Sequence, residues 1–282
     1  MSLEREGERE DRETPAYRAR TRLHLEDSLR DGVTVTLGRD ATHYLRDVLR
    51  QKVGAEVSVF NARDGEWSAV LARTARNDAD IEIRGRLRAP APEPDLWLLF
   101  ALLKRTRTDL VVEKATELGV ARILPVITAR TQAARVNTER LQSIAREAAE
   151  QCERLSVPDV AEPQSLAHVL ERWPPSRRLV VADEAGGGRP IAEALAEARA
   201  DRAPDDGVSH GNPMVTWALL IGPEGGFDSA ELDRLRKLPF VTPVALGPRI
   251  LRAETAALAA LACLQASIGD WATGVRREPR SR

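Results

Sequence analysis

The stretch WALLIGPEGGFDSAEL (Trp217 to Leu232) decides the fold class. Its first five residues are continuously apolar, as a strand buried on both faces requires. Gly222 and Pro223 end that run, and Asp228 with Glu231 three residues later marks a helix start. The same grammar recurs in TPVALGPRILRAETAALAALACLQASI (Thr242 to Ile268). A strand that stops in glycine and proline before a helix leaves free backbone N–H and C=O groups at its C-terminal edge, where open α/β sheets bind ligands. Two such edges side by side make a pocket.

Working backward, strand and helix keep alternating. DLWLLFALL (Asp95 to Leu103) reads as a buried strand and TDLVVEKATELG (Thr108 to Gly119) as a helix closed by glycine. ARILPVIT follows as a strand, then Asn137 caps TERLQSIAREAAEQCERL, in which Leu141, Ile144, Ala145, Ala148 and Cys152 recur at helical spacing. RLVVAD (Arg178 to Asp183) is a further strand, and Pro190 suits the first turn of IAEALAEARA. This order predicts a mostly parallel sheet over residues 95–272, with a buried final helix.

Residues 18–88 read differently. VTVTL, EVSVF, WSAVLA and IEIRGRL are short strands separated by turn signals, with one helix, ATHYLRDVLR, among them. They predict a small β-barrel. APAPEP (residues 89–94) suits an extended spacer. Residues 1–17 carry dense charge and no apolar period, the loop 201–214 has no periodicity, and 273–282 reads as a tail.

With 282 residues and 43% apolar content the chain has room for about two domains with real cores. No run reaches the roughly 18 uncharged apolar residues of a membrane span. Two cysteines, Cys152 and Cys263, point to a reducing cytoplasmic setting rather than a disulfide framework. The four histidines are scattered without metal-ligand spacing, so a metal is not expected. Neither GPEGGF nor AGGGRP fits G-x-G-x-x-G, and the chain has no phosphate-binding G-x-x-x-x-G-K-[ST] loop or G-x-S-x-G elbow.

The formal net charge is −1, yet the tail to Thr14 holds six acids against three arginines, leaving the rest near +2. Between Ala101 and Arg135 seven basic residues face three acids. This patch suits phosphate oxygens, as it also suits a solvated mixed face. A glycine-lined pocket beside Arg249, Arg252 and Glu254 fits group transfer between positioned reactants better than hydrolysis.

KATELGV (Lys114 to Val120), EAAEQCER (Glu147 to Arg154), LLIGPEGGF (Leu219 to Phe227) and LGPRILRAETA (Leu246 to Ala256) together resemble the RsmE family, small-subunit (16S) ribosomal RNA uridine N3-methyltransferases of the SPOUT superfamily. His43 to Trp67 is similar to that family's PUA-like RNA-binding barrel. The resemblance spans residues 20–270 and implies an α/β SPOUT domain with a C-terminal trefoil knot, S-adenosylmethionine as cofactor, a homodimer and ribosomal RNA or the small subunit as partner. By motif it implies a cofactor site of Leu220, Ile221, Gly222, Pro223, Glu224, Gly225 and Gly226, of Leu246, Gly247, Ile250, Leu251 and Arg252, and of Asp183 and Glu184. Arg249, Arg252 and Glu254 are the catalytic candidates; Lys104, Arg105, Arg107, Lys114 and Arg154 are the RNA-docking ones. Two departures stand out: Ala253 replaces the family's usual threonine, and Glu153 stands where glycine is frequent. A SPOUT enzyme acting on another RNA atom and a non-catalytic RNA-binding assembly factor stay open as alternatives.

Overall fold

The computed structural model describes residues 21–132, 135–200 and 216–273. The expected N-terminal tail, the 201–214 loop and the residues after 273 lie outside them. The chain divides into two compact units between Ala89 and Pro90.

The first unit holds strands β1 (Arg22–His24), β2 (Thr34–Leu37), β3 (Glu56–Asn61), β4 (Gly65–Thr74) and β5 (Ala79–Arg88), paired in the order β1-β3-β4-β5-β2. A closed barrel is the expectation here. Among the described residues no ladder joins β1 to β2, which stand at the two ends of the path. β1 has three residues, too few to show alternation in the sequence. The expected helix over 41–50 is split into α1 (Arg39–His43) and a π-helical turn, Tyr44–Val48, after which Arg50 takes the left-handed conformation with φ 53°. Leu23, Leu45, Val57, Val59, Leu71, Ile81 and Ile83 fill the core between these elements.

The second unit continues with β6 (Leu96–Ala101), α2 (Arg105–Glu117), β7 (Arg122–Ile127), α3 (Thr138–Cys152), β8 (Asp159–Val160), β9 (Gln164–Ser165), α4 (Leu166–Glu171), β10 (Arg178–Ala182), β11 (Arg189–Pro190), α5 (Ile191–Ala200), β12 (Trp217–Ile221), α6 (Ser229–Arg236), β13 (Val241–Ala245) and α7 (Ala253–Ile268). The sheet is parallel throughout, ordered β11-β13-β10-β12-β6-β7-β8, with β9 also on β7. Pro243 sits in β13 opposite Val181, at a position that β11 does not reach, so its missing N–H leaves no gap in a ladder.

Strand side chains alternate between two layers. Leu98, Phe100, Val180, Leu219 and Ile221 pack with α2, α3, α5 and α7; Leu99, Leu179, Val181 and Leu220 pack with Trp173, Phe227 and α6. The final helix is buried along one face, from Ala253 through Ala257, Leu261 and Leu264 to Ile268. Segment 89–94 is not a free spacer: Glu93 pairs with the buried Arg154 and accepts the Ser156 hydroxyl at 2.7 Å.

None of the described helices is long and apolar enough to cross a membrane.

Candidate functional site

β10, β12 and β13 are neighbours or next-neighbours in the sheet and run parallel, so their C-terminal ends come together. The three loops that leave them are 183–188, 222–228 and 246–252. Between them lies a cavity of about 470 Å³, in the usual size range of small-molecule sites. Its apolar wall is Ile221, Val244, Leu246, Leu251, Ala253 and Ala256. Its polar wall is carboxylates, backbone and three arginines, Arg107, Arg249 and Arg252.

The local sequence explains each loop. Asp183 follows the last residue of β10 and its side chain is fully buried. Burial of a carboxylate demands partners. It accepts from Arg236 Nη2 at 2.7 Å and Nε at 3.0 Å, and from Ala185 N at 3.0 Å. Glu184 accepts from Phe227 N at 2.8 Å, tying the first loop to the second. Gly226 has φ 69°, and a Cβ there would overlap the Glu184 carboxylate. Gly188 lies so close to the Val244 backbone that no side chain fits. Asp228 and Glu231 form the expected capping box at α6, and Glu231 also accepts from Ala129 N at 2.9 Å.

The predicted cofactor residues mostly meet here: Asp183, Glu184, Ile221, Gly222, Pro223, Glu224, Gly226, Leu246, Gly247, Ile250, Leu251 and Arg252 line the cavity. Two do not. Leu220 is fully buried in the opposite layer, because adjacent strand residues point to opposite faces. Gly225 does not line the cavity, and a Cβ added to it meets nothing within 4 Å.

Arg249 and Arg252 are exposed on the third loop, and among the described residues no ion pair engages either. Arg252 is the N-cap residue of α7 without a side-chain cap bond. Glu254, in the first turn of α7, is not part of the cavity wall; one of its oxygens is buried without a hydrogen-bond partner. Ala253, the departure from the family motif, is buried and lines the cavity.

The basic patch separates into individual roles. Lys114 lies between Glu113 and Glu117, each at 2.7 Å, and Arg122 pairs with Asp159. Arg154 does not belong to a docking surface: its side chain is 8% exposed and donates to Thr116 O, Val120 O and Ser156 Oγ besides pairing with Glu93. Sequence alone gives Arg154 a surface position on α3, whereas tertiary packing turns it inward. Lys104 and Arg105 stay exposed at the start of α2, whose first turn has no acid. Cations at a helix N-terminus oppose its dipole, and an anion placed there relieves both.

Arg107 was expected beside them on the docking surface; it lines the cavity instead. Sequence carries no signal for this, since its neighbours Glu224 and Glu254 lie more than a hundred residues away. Nor does the sequence mark Arg236, whose partner Asp183 lies 53 residues away. Among the described residues no group of three or more His, Cys, Asp and Glu could hold a metal ion.

The chain matches the family model described as RNA methyltransferase domain over residues 90–265 and that described as RNA methyltransferase PUA domain over residues 37–84. It is 31% identical to the ribosomal RNA small subunit methyltransferase E of Rickettsia conorii, covering 86% of this chain and 93% of that protein. Identity to the protein of the same name from Synechocystis is 32%, covering 83% and 73%. Among solved structures, a putative methyltransferase from Legionella pneumophila in complex with the bound cofactor SAM superposes with a TM-score of 0.74 at 28% identity, covering 89% of this chain and 98% of that one. The ribosomal RNA small subunit methyltransferase E of Neisseria gonorrhoeae bound to S-adenosyl methionine gives 0.72 at 26%, covering 89% and 99%.

Proposed function

The chain belongs to the ribosomal RNA small subunit methyltransferase E family, and from that premise we propose that it transfers the methyl group of S-adenosylmethionine to N3 of a uridine in 16S ribosomal RNA. The observation that carries this reading is the single cavity enclosed by loops 183–188, 222–228 and 246–252. Its residues fit the donor. Glycines at 188 and 226 hold the loops closer than any side chain permits. The apolar wall suits an adenine ring, and Glu184 and Glu224 suit ribose hydroxyls and a cationic centre.

When bound, the donor supplies a methyl already activated on a sulfonium. The protein therefore mainly aligns the reactants and favours the ionised base. N3 lies on the pairing edge, so the uridine must be unpaired or swung out to be reached. Lys104 and Arg105 dock phosphate in this reading, and Arg249 and Arg252 stand at the reacting region. Residues 18–88 form the RNA-binding PUA-like unit, and residues 95–272 the methyltransferase.

The trefoil knot and the homodimer belong to the same proposal. β13 pairs on the side of β10 away from β12, yet α7, which follows it, packs on α2, α5 and β12. Loop 246–252 must therefore return across the strand ends, the crossing a knot requires. Ile250 on that loop is 91% exposed, a large apolar side chain that a second copy would cover. The cytoplasm, where such RNA is available, is the expected compartment.

Titration of the full chain with S-adenosylmethionine, followed by nucleoside mass mapping of treated small-subunit RNA, tests the proposal. The expected product is N3-methyluridine. Methyl at any other atom overturns the substrate, and failure to bind the donor overturns the enzyme.

A further inference from the structure

We infer that Arg107 is a catalytic residue, whose guanidinium contacts the acceptor base in the cavity and stabilises the negative charge that N3 acquires, with Glu224 and Glu254 as its positioning residues. The inference rests on the methyl-transfer reading above and names a group within that same site.

Three observations single this arginine out. It lines the cavity from α2. Its Nη1 stands 3.5 Å from Glu224 Oε1 and its Nε 3.5 Å from Glu254 Oε1, one carboxylate from the loop after β12 and one from the first turn of α7. Those distances exceed the roughly 2.7–3.2 Å of an N–H···O bond, so the pair aims the side chain without occupying its donors. Arg154 and Arg177 differ in this respect, being hydrogen-bonded to backbone carbonyls deep in the fold. Arg249 and Arg252 also line the cavity, but they are exposed and unheld.

Glu254 completes the arrangement. Its Oε2 is buried without a hydrogen-bond partner while Oε1 faces Arg107. With Oε1 beside its Nε, Glu254 is the fixed counter-charge of Arg107 when the guanidinium meets a substrate. The other charged groups lining the cavity are Asp183, Glu184, Arg249 and Arg252. Asp183 is paired with Arg236 and Glu184 accepts the Phe227 N–H, which leaves Arg249 and Arg252 to favour an anionic base.

The step balances as follows. The base releases its N3 proton to solvent water, and N3 then supplies the electron pair of the new N–C bond. The pair of the breaking C–S bond stays with sulfur, which becomes a neutral thioether. Arg107 is not consumed; its planar donors bond a carbonyl oxygen flanking N3, where the charge is shared.

The test compares wild type, Arg107→Ala and Arg107→Lys for donor affinity, kcat, KM for RNA and rate against pH. Losing a preorganised donor lowers kcat about 100-fold. In Arg107→Ala the rising limb of rate against pH moves up by about one unit, because the ionised base is no longer favoured. Arg107→Lys, which keeps the charge without the fork, recovers part of that shift. Donor affinity stays within about threefold, since the interaction belongs to the transition state. A raised KM with kcat and the pH limb unchanged overturns the inference and returns Arg107 to RNA docking. If wild type itself forms no N3-methyluridine, the functional reading fails; if it does and the pH limb of Arg107→Ala stays put, only this inference fails.

Discussion

Glu184 accepts the backbone N–H of Phe227 at 2.8 Å and so fastens the loop leaving β10 to the loop leaving β12. The two residues are 43 apart in sequence. Their bond passes beside Gly226, and this makes one glycine of the GPEGG turn far more demanding than its neighbour.

Replacing Gly226 by alanine should remove the Glu184 bond and force an L-residue into the left-handed region at a cost of about 1–2 kcal/mol. Donor affinity is expected to fall about 5- to 30-fold, as an energy of that size implies. Gly225→Ala should leave both affinity and melting temperature near wild type, because its added Cβ meets open space. Calorimetric titration of the two variants side by side checks the contrast, and equal losses would refute it.

Lys104 and Arg105 are the exposed cations at the start of α2. Changing Lys104 and Arg105 together to alanine should weaken RNA binding and reduce the salt slope by about 1.4, at about 0.7 per phosphate contact for single strands. Arg154→Ala should leave the slope unchanged and instead destabilise the fold by about 3 kcal/mol, since it strips a buried carbonyl cluster and Glu93 of their donor. Binding measured across a salt series, with denaturant melts in parallel, separates the two.

Glu153 closes α3 with φ 64°, the left-handed cap position that glycine occupies without penalty. That is the physical content of the departure seen in the sequence. Glu153→Gly is expected to raise stability by about 0.5–1 kcal/mol. An unchanged or lower denaturation midpoint would contradict this.

In the N-terminal unit, Asp64 is held down to about 2 from 3.8, chiefly by the Arg63 guanidinium and then by the Leu29 backbone N–H. A carboxylate depressed in the folded state contributes stability above its unfolded pKa and loses it as pH falls through the folded one. The contribution should therefore be full above about pH 4 and fade toward pH 2. Asp64→Asn should flatten that window by on the order of 1 kcal/mol, allowing for solvent screening at its partly exposed site. Melts at pH 2.5, 4 and 6 provide the check.

The alternation of apolar runs with capped helices was legible because strand and helix periods are local properties. WALLI, RLVVAD and TPVAL fall in β12, β10 and β13, and Asn137 and Asp228 cap the helices that follow them. Glycines placed after strands marked the pocket for the same reason: a tight turn is written in a few adjacent residues. The short β8, β9 and α4 were not legible, each being too brief to complete a period.

What the tertiary structure alone decided is which residues at those strand ends share one space. β13 lies beyond β10 rather than beside β12, a strand order that no local pattern encodes, and it brings loop 246–252 over the Asp183 loop. The same packing drew Arg154 into the interior and carried Arg107 from a basic surface to the pocket wall. Composition assigns a side chain its charge, but its environment is set by contacts between segments far apart in sequence, and those exist only once the sheet has formed.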